Sequence, residues 1–232
     1  MYPSIGYFYD PTTLILVPAI LFTMYAQFKV STETNKYFRI NTHRGYTGEQ
    51  AARRILDLNG LDNVRIEVSR GRLSDHYDPR GHVVRLSEDV YYGTSITSVS
   101  VAAHECGHAI QHATGYSFLN FRTALVPVVN FSSNMSWLLI MLGLFVSNTF
   151  LEIGILLFAA SVLFQVVTLP VEFNASSRAI LQLEKMEIID GGEVKQSRNV
   201  LTAAALTYVA AALTAALQLL RLLVIANNRD ND

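Results

Sequence analysis

Long apolar stretches interrupt this sequence four times. A helix needs about 20 mostly apolar residues to cross a lipid bilayer, and the four stretches run over 11–28, 124–146, 150–171 and 200–220. We expect each of them to form a transmembrane helix. The alternative, buried helices of a soluble core, is rare for apolar stretches of this length.

The polar region between the first two stretches has the pattern of a small α+β unit. Thr47 and Gln50 have the spacing of a capping box, and an apolar stripe follows them. Strands are predicted around Val64, Ile66 and Val68 and over 83–86, because apolar residues alternate there or cluster between turn signals. A second helix is predicted over 95–113, ending at Gly115. As an edge strand, 83–86 could pair with an extended peptide.

Basic residues are unevenly distributed along the chain, and this predicts an orientation in the membrane. Lysines and arginines follow the first stretch and separate the third from the fourth, whereas the N-terminus and the link at 147–149 have none. Loops rich in Lys and Arg face the cytoplasm. Both polar regions are therefore expected in the cytoplasm, although Arg221 and Arg229 near the C-terminus oppose this orientation.

Composition excludes two other kinds of site. The net charge of −1 gives no basic field, so nucleic acid is not an expected partner. Cys106 is the only cysteine. It cannot form an internal disulfide, and a zinc site built on several cysteines is impossible.

His104-Glu105-Cys106-Gly107-His108 is the motif that carries chemistry. Two histidines four residues apart on a helix point in one direction, so both imidazoles can reach one zinc ion. Zinc lowers the pKa of its water to about 7, and Glu105 can accept that proton and pass it to a leaving amine. The alternative for the motif is a partly exposed polar helix face. His112 lies too far along the helix to bind the same ion, and Cys106 is expected to pack in the core.

A catalytic zinc usually has three protein ligands and one open position. Glu172 is favoured as the third ligand, because the predicted topology places it on the same side of the membrane as the motif. An acidic residue there is otherwise explained by the helix dipole and solvent. The candidates left open are Asp75, His76, Asp78, His82, Glu88 and Glu172.

Several segments before the motif resemble the YugP-type neutral zinc metallopeptidases of bacterial membranes. These segments are Gly45-Tyr46-Thr47-Gly48, the run 74–80, Arg85-Leu86-Ser87-Glu88 and Val90-Tyr91-Tyr92-Gly93. The resemblance covers almost the whole chain. It also implies a plan similar to the HtpX-type proteases, which place a glutamate from a later helix on the zinc.

The segment Glu172-Phe173-Asn174-Ala175-Ser176 matches the glutamate pattern Glu-x-x-Ala-Asp of those proteases, with Ser176 in place of the aspartate. The resemblance thus implies Glu172 as the third ligand of a gluzincin-type site. Arg178 is a candidate to stabilise the oxyanion, or else an exposed arginine or headgroup contact. His76 and Tyr77 are candidate hydrogen-bond donors to the substrate carbonyl, or else part of a polar turn.

We therefore predict a mainly α protein, in which a four-helix transmembrane bundle carries a small cytoplasmic α+β zincin-like unit. The predicted regions are an anchor (1–28), the catalytic region (29–123), a transmembrane hairpin (124–171), a third-ligand helix and loop (172–199), and a C-terminal helix and tail (200–232).

The predicted function is a Zn²⁺-dependent metallopeptidase of the bacterial cytoplasmic membrane, with peptides or proteins, including membrane proteins, as substrates and the lipid bilayer as its surroundings. The main alternative is a metal-binding membrane scaffold or chaperone-like protein that cuts nothing. Glu105 argues against it, because a purely structural zinc site has no need of that carboxylate. A metal transporter is a weaker alternative, since only the second stretch contains more than a few polar residues.

Overall fold

A computed structural model describes residues 11–71 and 74–230 of the chain. The first ten residues of the predicted anchor region and the last two of the C-terminal region lie outside the described residues. The described chain is mainly helical, with one small sheet. After a 3₁₀ turn at Pro11–Leu16, its elements are α1 (Val17–Phe38), α2 (Gly48–Leu58), β1 (Arg65–Ser69), β2 (His76–Asp78), β3 (Val83–Ser87), α3 (Glu88–Tyr91), α4 (Ile96–Ala113), α5 (Ser117–Phe145), α6 (Asn148–Lys185) and α7 (Gly191–Asp230).

Four helical segments of the described chain are long and apolar enough to cross a membrane. They are Pro11–Phe38, Ser117–Phe145, Asn148–Lys185 and Gly191–Arg229. Three of them contain a predicted apolar stretch and extend beyond it, and Ser117–Phe145 covers the second stretch, 124–146, except for its last residue. Large apolar side chains such as Phe28, Phe145 and Leu156 are exposed along them. Such surfaces are costly in water and favourable against lipid, which fits a membrane protein.

The chain folds into two units. Among the described residues, the first combines 11–25, 122–167 and 209–230, and the second combines 26–71, 74–121 and 168–208. The core of the first unit includes Ile140, Leu151, Ile155 and Leu222. The second unit contains the sheet, α2, α3, α4 and all the candidate metal ligands, so the candidate site lies within that unit.

The sheet of the second unit has the strand order β1-β3-β2. β1 pairs with β3 in parallel, Arg65 opposite Val83, and β2 pairs with β3 antiparallel, His76 opposite Arg85. The prediction that 83–86 is an edge strand is wrong. β3 is central because a third strand, β2, only three residues long, pairs with its other edge and includes His76 and Tyr77, for which a polar turn is one of the two alternatives from the sequence.

Local sequence signals explain the helices around the sheet. Thr47 and Gln50 form the predicted capping box at the start of α2, and Ser95 caps α4 by accepting a hydrogen bond from the backbone of Ser98. Gly115, with φ of 63°, follows the end of α4, as a left-handed residue commonly does after a helix. The shared core of these elements is formed by Ile55, Leu56, Val84, Leu86, Val99, Ala103, Leu183 and Ile188.

Candidate active site

α4 and α6 approach closely at the histidine motif. A Cβ atom on Gly107 would lie 2.6 Å from the backbone oxygen of Ala175, so only glycine fits between the two backbones. Apolar side chains of α4, including Val99 and Ala103, are fully buried. The close contact at Gly107 brings the motif of α4 next to Glu172 of α6.

Three potential ligands converge at this contact. The Oε2 atom of Glu172 lies 3.3 Å from Nε2 of His104 and 3.6 Å from Nε2 of His108. The three ligand atoms all lie within 4.8 Å of one another. Two ligands of a tetrahedral zinc ion, each bound at about 2.0–2.1 Å, are about 3.3 Å apart. The arrangement therefore has the separation that such an ion requires.

Each histidine has a hydrogen-bond partner at its other ring nitrogen. Nδ1 of His104 lies 3.2 Å from Oγ of Ser176, and Nδ1 of His108 lies 3.0 Å from Oε1 of Gln111. In the tautomer that presents Nε2 to a metal, Nδ1 carries the hydrogen and these oxygens accept it. Ser176 thus lies where a partner for His104 is needed.

Gln111 was not identified as a site residue from the sequence. Its side chain is completely buried, and Nε2 donates to the backbone oxygen of Val171 at 2.8 Å and to Oδ1 of Asn174 at 3.0 Å. It therefore joins His108 to α6. Its position three residues after His108, on the same helix face, is the feature of the sequence that could have indicated a contact with that histidine. Its partners on α6 could not be found from local spacing.

Glu105 lies beside the three potential ligands. It is only 8% exposed. Its side chain lines a cavity of about 320 Å³ together with His104, Glu172, Ser176 and Asp75. A carboxylate at this place can accept a proton from a water molecule in the cavity and does not have to serve as a ligand itself.

Charge and burial act in opposite directions on His108. Burial lowers its pKa, but the hydrogen bond to Glu172 and the negative charges of Glu105 and Glu172 together raise the pKa above its ordinary value. The surroundings thus favour positive charge at the place where His108 faces two carboxylates. A divalent cation in that place would be stabilised by the same two negative charges.

Asp75 is a third acidic residue that lines the cavity, in addition to Glu105 and Glu172. Its Oδ1 accepts hydrogen bonds from the backbone nitrogen of Ser87 at 2.7 Å and from its hydroxyl at 3.0 Å. Burial raises the pKa of Asp75, while these hydrogen bonds oppose the shift. Asp75 thereby fixes the start of β2 to the end of β3.

The other predicted site residues, His76, Tyr77 and Arg178, form hydrogen bonds with groups other than the three potential ligands. His76 is exposed, with Nδ1 2.8 Å from the Ser74 backbone oxygen. The Tyr77 hydroxyl lies 2.9 Å from Nδ1 of His112, and Nε of Arg178 donates to Oδ1 of Asn174 at 2.8 Å. Arg178 thus extends the chain of hydrogen bonds that begins at His108.

Cys106 and the remaining ligand candidates are accounted for elsewhere in the unit. Cys106 is fully buried, as predicted, and burial raises the pKa of its thiol, so it stays protonated and inert. Asp78 accepts a hydrogen bond from Arg85, and the ring of His82 packs near that of His112. Glu88 is exposed at the start of α3.

A second group of possible ligands comprises His43, Asp190 and Glu193. Glu193 accepts hydrogen bonds from the backbone nitrogens of His43 at 2.8 Å and Asp190 at 2.7 Å. Nδ1 of His43 lies 2.9 Å from Oδ2 of Asp190. These contacts tie the segment before α2 to the start of α7.

Comparison with known proteins identifies the family of this chain. The family model described as "Putative neutral zinc metallopeptidase" matches residues 12–227. The chain belongs to this family. The "Putative membrane protease YugP" of Bacillus subtilis (strain 168) is 48% identical over 220 residues, which cover 94% of this chain and 98% of that protein. No solved structure matches the chain significantly. The family predicted from the sequence is confirmed.

Proposed function

We propose that this protein is a membrane-embedded zinc metallopeptidase that hydrolyses peptide bonds, with His104, His108 and Glu172 as zinc ligands and Glu105 as general base. One observation carries the proposal: two imidazole nitrogens and a carboxylate oxygen converge on one point beside a buried glutamate. Family membership supports the zinc and the protease activity.

The donor set fits zinc better than a harder cation. Two imidazoles and one carboxylate are a known catalytic zinc combination, whereas Mg²⁺ and Ca²⁺ prefer oxygen ligands alone. The Nε2–Oε2 separations of 3.3 and 3.6 Å leave room for one ion. A bound zinc ion would polarise the substrate carbonyl and lower the pKa of a water molecule.

The protein's own residues supply orientation and proton transfer. Ser176 and Gln111 hold the two imidazoles with Nε2 directed inward. Glu105 accepts a proton as the water oxygen adds to the carbonyl carbon. It returns that proton to the amide nitrogen as the C–N bond breaks, so the amine leaves in neutral form.

The membrane location follows from four apolar helices and from the name of the Bacillus subtilis relative, a membrane protease. From the charge distribution, we propose that the site faces the cytoplasm from the bacterial cytoplasmic membrane. Peptides and proteins at that surface, including membrane proteins, are the proposed substrates.

Glu105→Gln tests the mechanism. The amide keeps the size of the carboxylate but cannot take the proton, so casein cleavage by the purified, zinc-loaded protein should fall by roughly 10²–10⁴-fold. Its zinc content, measured by elemental analysis, should equal that of the wild type. Glu172→Ala is the matched comparison, and it should lose zinc together with activity.

Unchanged casein cleavage by Glu105→Gln would contradict the role of Glu105. A wild-type protein that binds zinc but cleaves neither casein nor peptides would instead support the alternative of a metal-binding scaffold. The two results are distinguishable because zinc content and cleavage are measured on the same samples.

A further inference from the structure

The cavity that contains Glu105 continues past the potential ligands along an apolar wall. His104, Glu105 and Glu172 line one part of it. The rest of the wall comes from three helices and is formed mainly by small or aliphatic side chains. The aliphatic members are Val30 of α1, Val101 of α4, and Val200, Leu201, Ala204 and Ala205 of α7, and Thr34, Thr207 and Tyr208 also line the cavity.

Resting on the proposed function, we propose that this apolar wall is the specificity subsite of the enzyme and receives one apolar side chain of the peptide, next to the bond that is cut. Ala204 and Ala205 set its depth, because their single methyl groups leave space that a larger side chain would fill. The substrate class is therefore peptides with an aliphatic or aromatic residue beside the scissile bond.

The size of the cavity supports a single side chain. Its volume of about 320 Å³ is at the lower end of the roughly 300–1,000 Å³ typical of small-molecule sites. This space takes one or two residues of a peptide and excludes a folded segment. Since the wall adjoins Glu105, a side chain seated there keeps its own peptide bond near the reacting groups.

The charges around the cavity favour an apolar side chain over a basic one. Asp75 is the acidic group of the lining outside the catalytic cluster, and it already accepts hydrogen bonds from the backbone and hydroxyl of Ser87. A lysine or arginine would have to lie along Val101, Leu201 and Ala204, where its charge would lose hydration, and the carboxylate of Asp75 is already hydrogen-bonded to Ser87.

Cleavage-site mapping gives the first test. The wild-type, zinc-loaded protein in detergent digests casein, and mass spectrometry identifies the bonds that are cut. The proposal expects Leu, Ile, Val, Met or Phe to be enriched at one of the two positions that flank the cut. Cleavage without such enrichment, or enrichment of Lys and Arg, would overturn the proposal while leaving the proposed function intact.

A cavity-filling variant gives the second test. Two peptides are compared that differ only at the position where the cleavage-site mapping shows enrichment. This position carries Leu in one peptide and Ala in the other. In Ala204→Phe the added ring fills the subsite, so the ratio of kcat/KM for the Leu peptide to that for the Ala peptide should fall by roughly tenfold or more. Ala204→Val, which adds only two methyl groups, should shift the ratio in the same direction by less.

Thr202→Phe is the control, because Thr202 lies on the exposed face of the same helix, two residues from Ala204. It should leave the ratio at its wild-type value. Continued cleavage of the Ala peptide by Ala204→Phe reports an intact site. If both Ala204 variants keep the wild-type ratio, the wall is not the subsite. If the wild-type protein cuts no peptide at all, the proposed function fails, and this inference with it.

Discussion

At the scale of single residues, the two histidines of the motif are held in different ways. His104 meets the hydroxyl of Ser176, a small group on α6. His108 meets Gln111, whose amide is fixed in turn by Val171 and Asn174. A partner that is itself fixed holds a ligand more firmly, so the orientation of His108 depends on a residue that contacts no metal.

Gln111→Leu should therefore weaken zinc binding by roughly 10–100-fold, as is typical when the partner of a metal-binding histidine is removed. Leucine keeps the buried volume but cannot accept the hydrogen of His108 or donate to Val171. Zinc affinity is measured by competition with a chromogenic chelator. His112→Ala, which removes the neighbouring side chain that bonds to Tyr77, serves as control and should bind zinc as the wild type does. Equal affinities for both variants would show that Gln111 does not support the site.

The sequence was sufficient for relative positions that depend on spacing within one helix. His104, Glu105 and His108 follow from the four-residue repeat, and Thr47 with Gln50 follows from the three-residue spacing of a capping box. The contact between Gln111 and Asn174 joins residues far apart in the chain. Local periodicity carries no information about such a pair, because the contact exists only after α4 and α6 have packed.

At the scale of elements, the close crossing of α4 and α6 determines whether the site exists. Gly107→Ala places a methyl group 2.6 Å from the backbone oxygen of Ala175, so the helices must separate. We expect a loss of about 1–3 kcal/mol in stability, as overpacking typically costs, together with weaker zinc binding. Thermal unfolding in detergent and chelator competition measure the two effects.

Gly192→Ala is the matched control, because a Cβ atom there would meet nothing within 4 Å. Alanine favours a helix over glycine, so this variant should be as stable as the wild type or slightly more stable. A Gly107→Ala protein with unchanged unfolding temperature and zinc affinity would show that the crossing tolerates a wider separation.

The tie between the segment before α2 and the start of α7 predicts a pH dependence. The hydrogen bond to Asp190 and the charge of Glu193 raise the pKa of His43 above its ordinary 6.5. The protonated imidazole therefore stabilises the fold below that ordinary value, and the contribution is lost as pH rises through the raised pKa. Because His43 is exposed, the effect should be small.

The difference in unfolding temperature between wild type and His43→Gln should be largest near pH 6 and vanish near about pH 9. In the Asp190→Asn background the same comparison should give a smaller pH-dependent difference, because only the charge of Glu193 then raises the pKa of His43. A difference that stays constant over this range would contradict the ion pair.

Element prediction from the sequence was reliable where the pattern is long and failed where it is short. The four apolar stretches and the helix that carries the motif span several turns each, so their periodicity is unambiguous. β2 has only three residues, His76 to Asp78, which is too few for an alternation to be recognised. Its pairing with Arg85, Val84 and Val83 makes β3 central, and a pairing between strands is not encoded in either strand alone.

At the scale of the whole molecule, the distribution of Lys and Arg along the chain predicts its orientation in the membrane. Thr149→Cys should react with a membrane-impermeant maleimide in intact cells, whereas Lys195→Cys should react only after the cells are permeabilised. Cys106 gives little background because it is fully buried. The reverse labelling pattern would invert the proposed orientation.

The position of Glu172 in the chain also has a consequence for biosynthesis. The two histidines are translated before α5, whereas the glutamate follows all of α5 and more than half of α6. A chain still emerging from the ribosome holds two of the three proposed ligands until the hairpin of α5 and α6 has been made. Under the proposed function, hydrolysis would therefore require that synthesis has passed Glu172 and the greater part of α6.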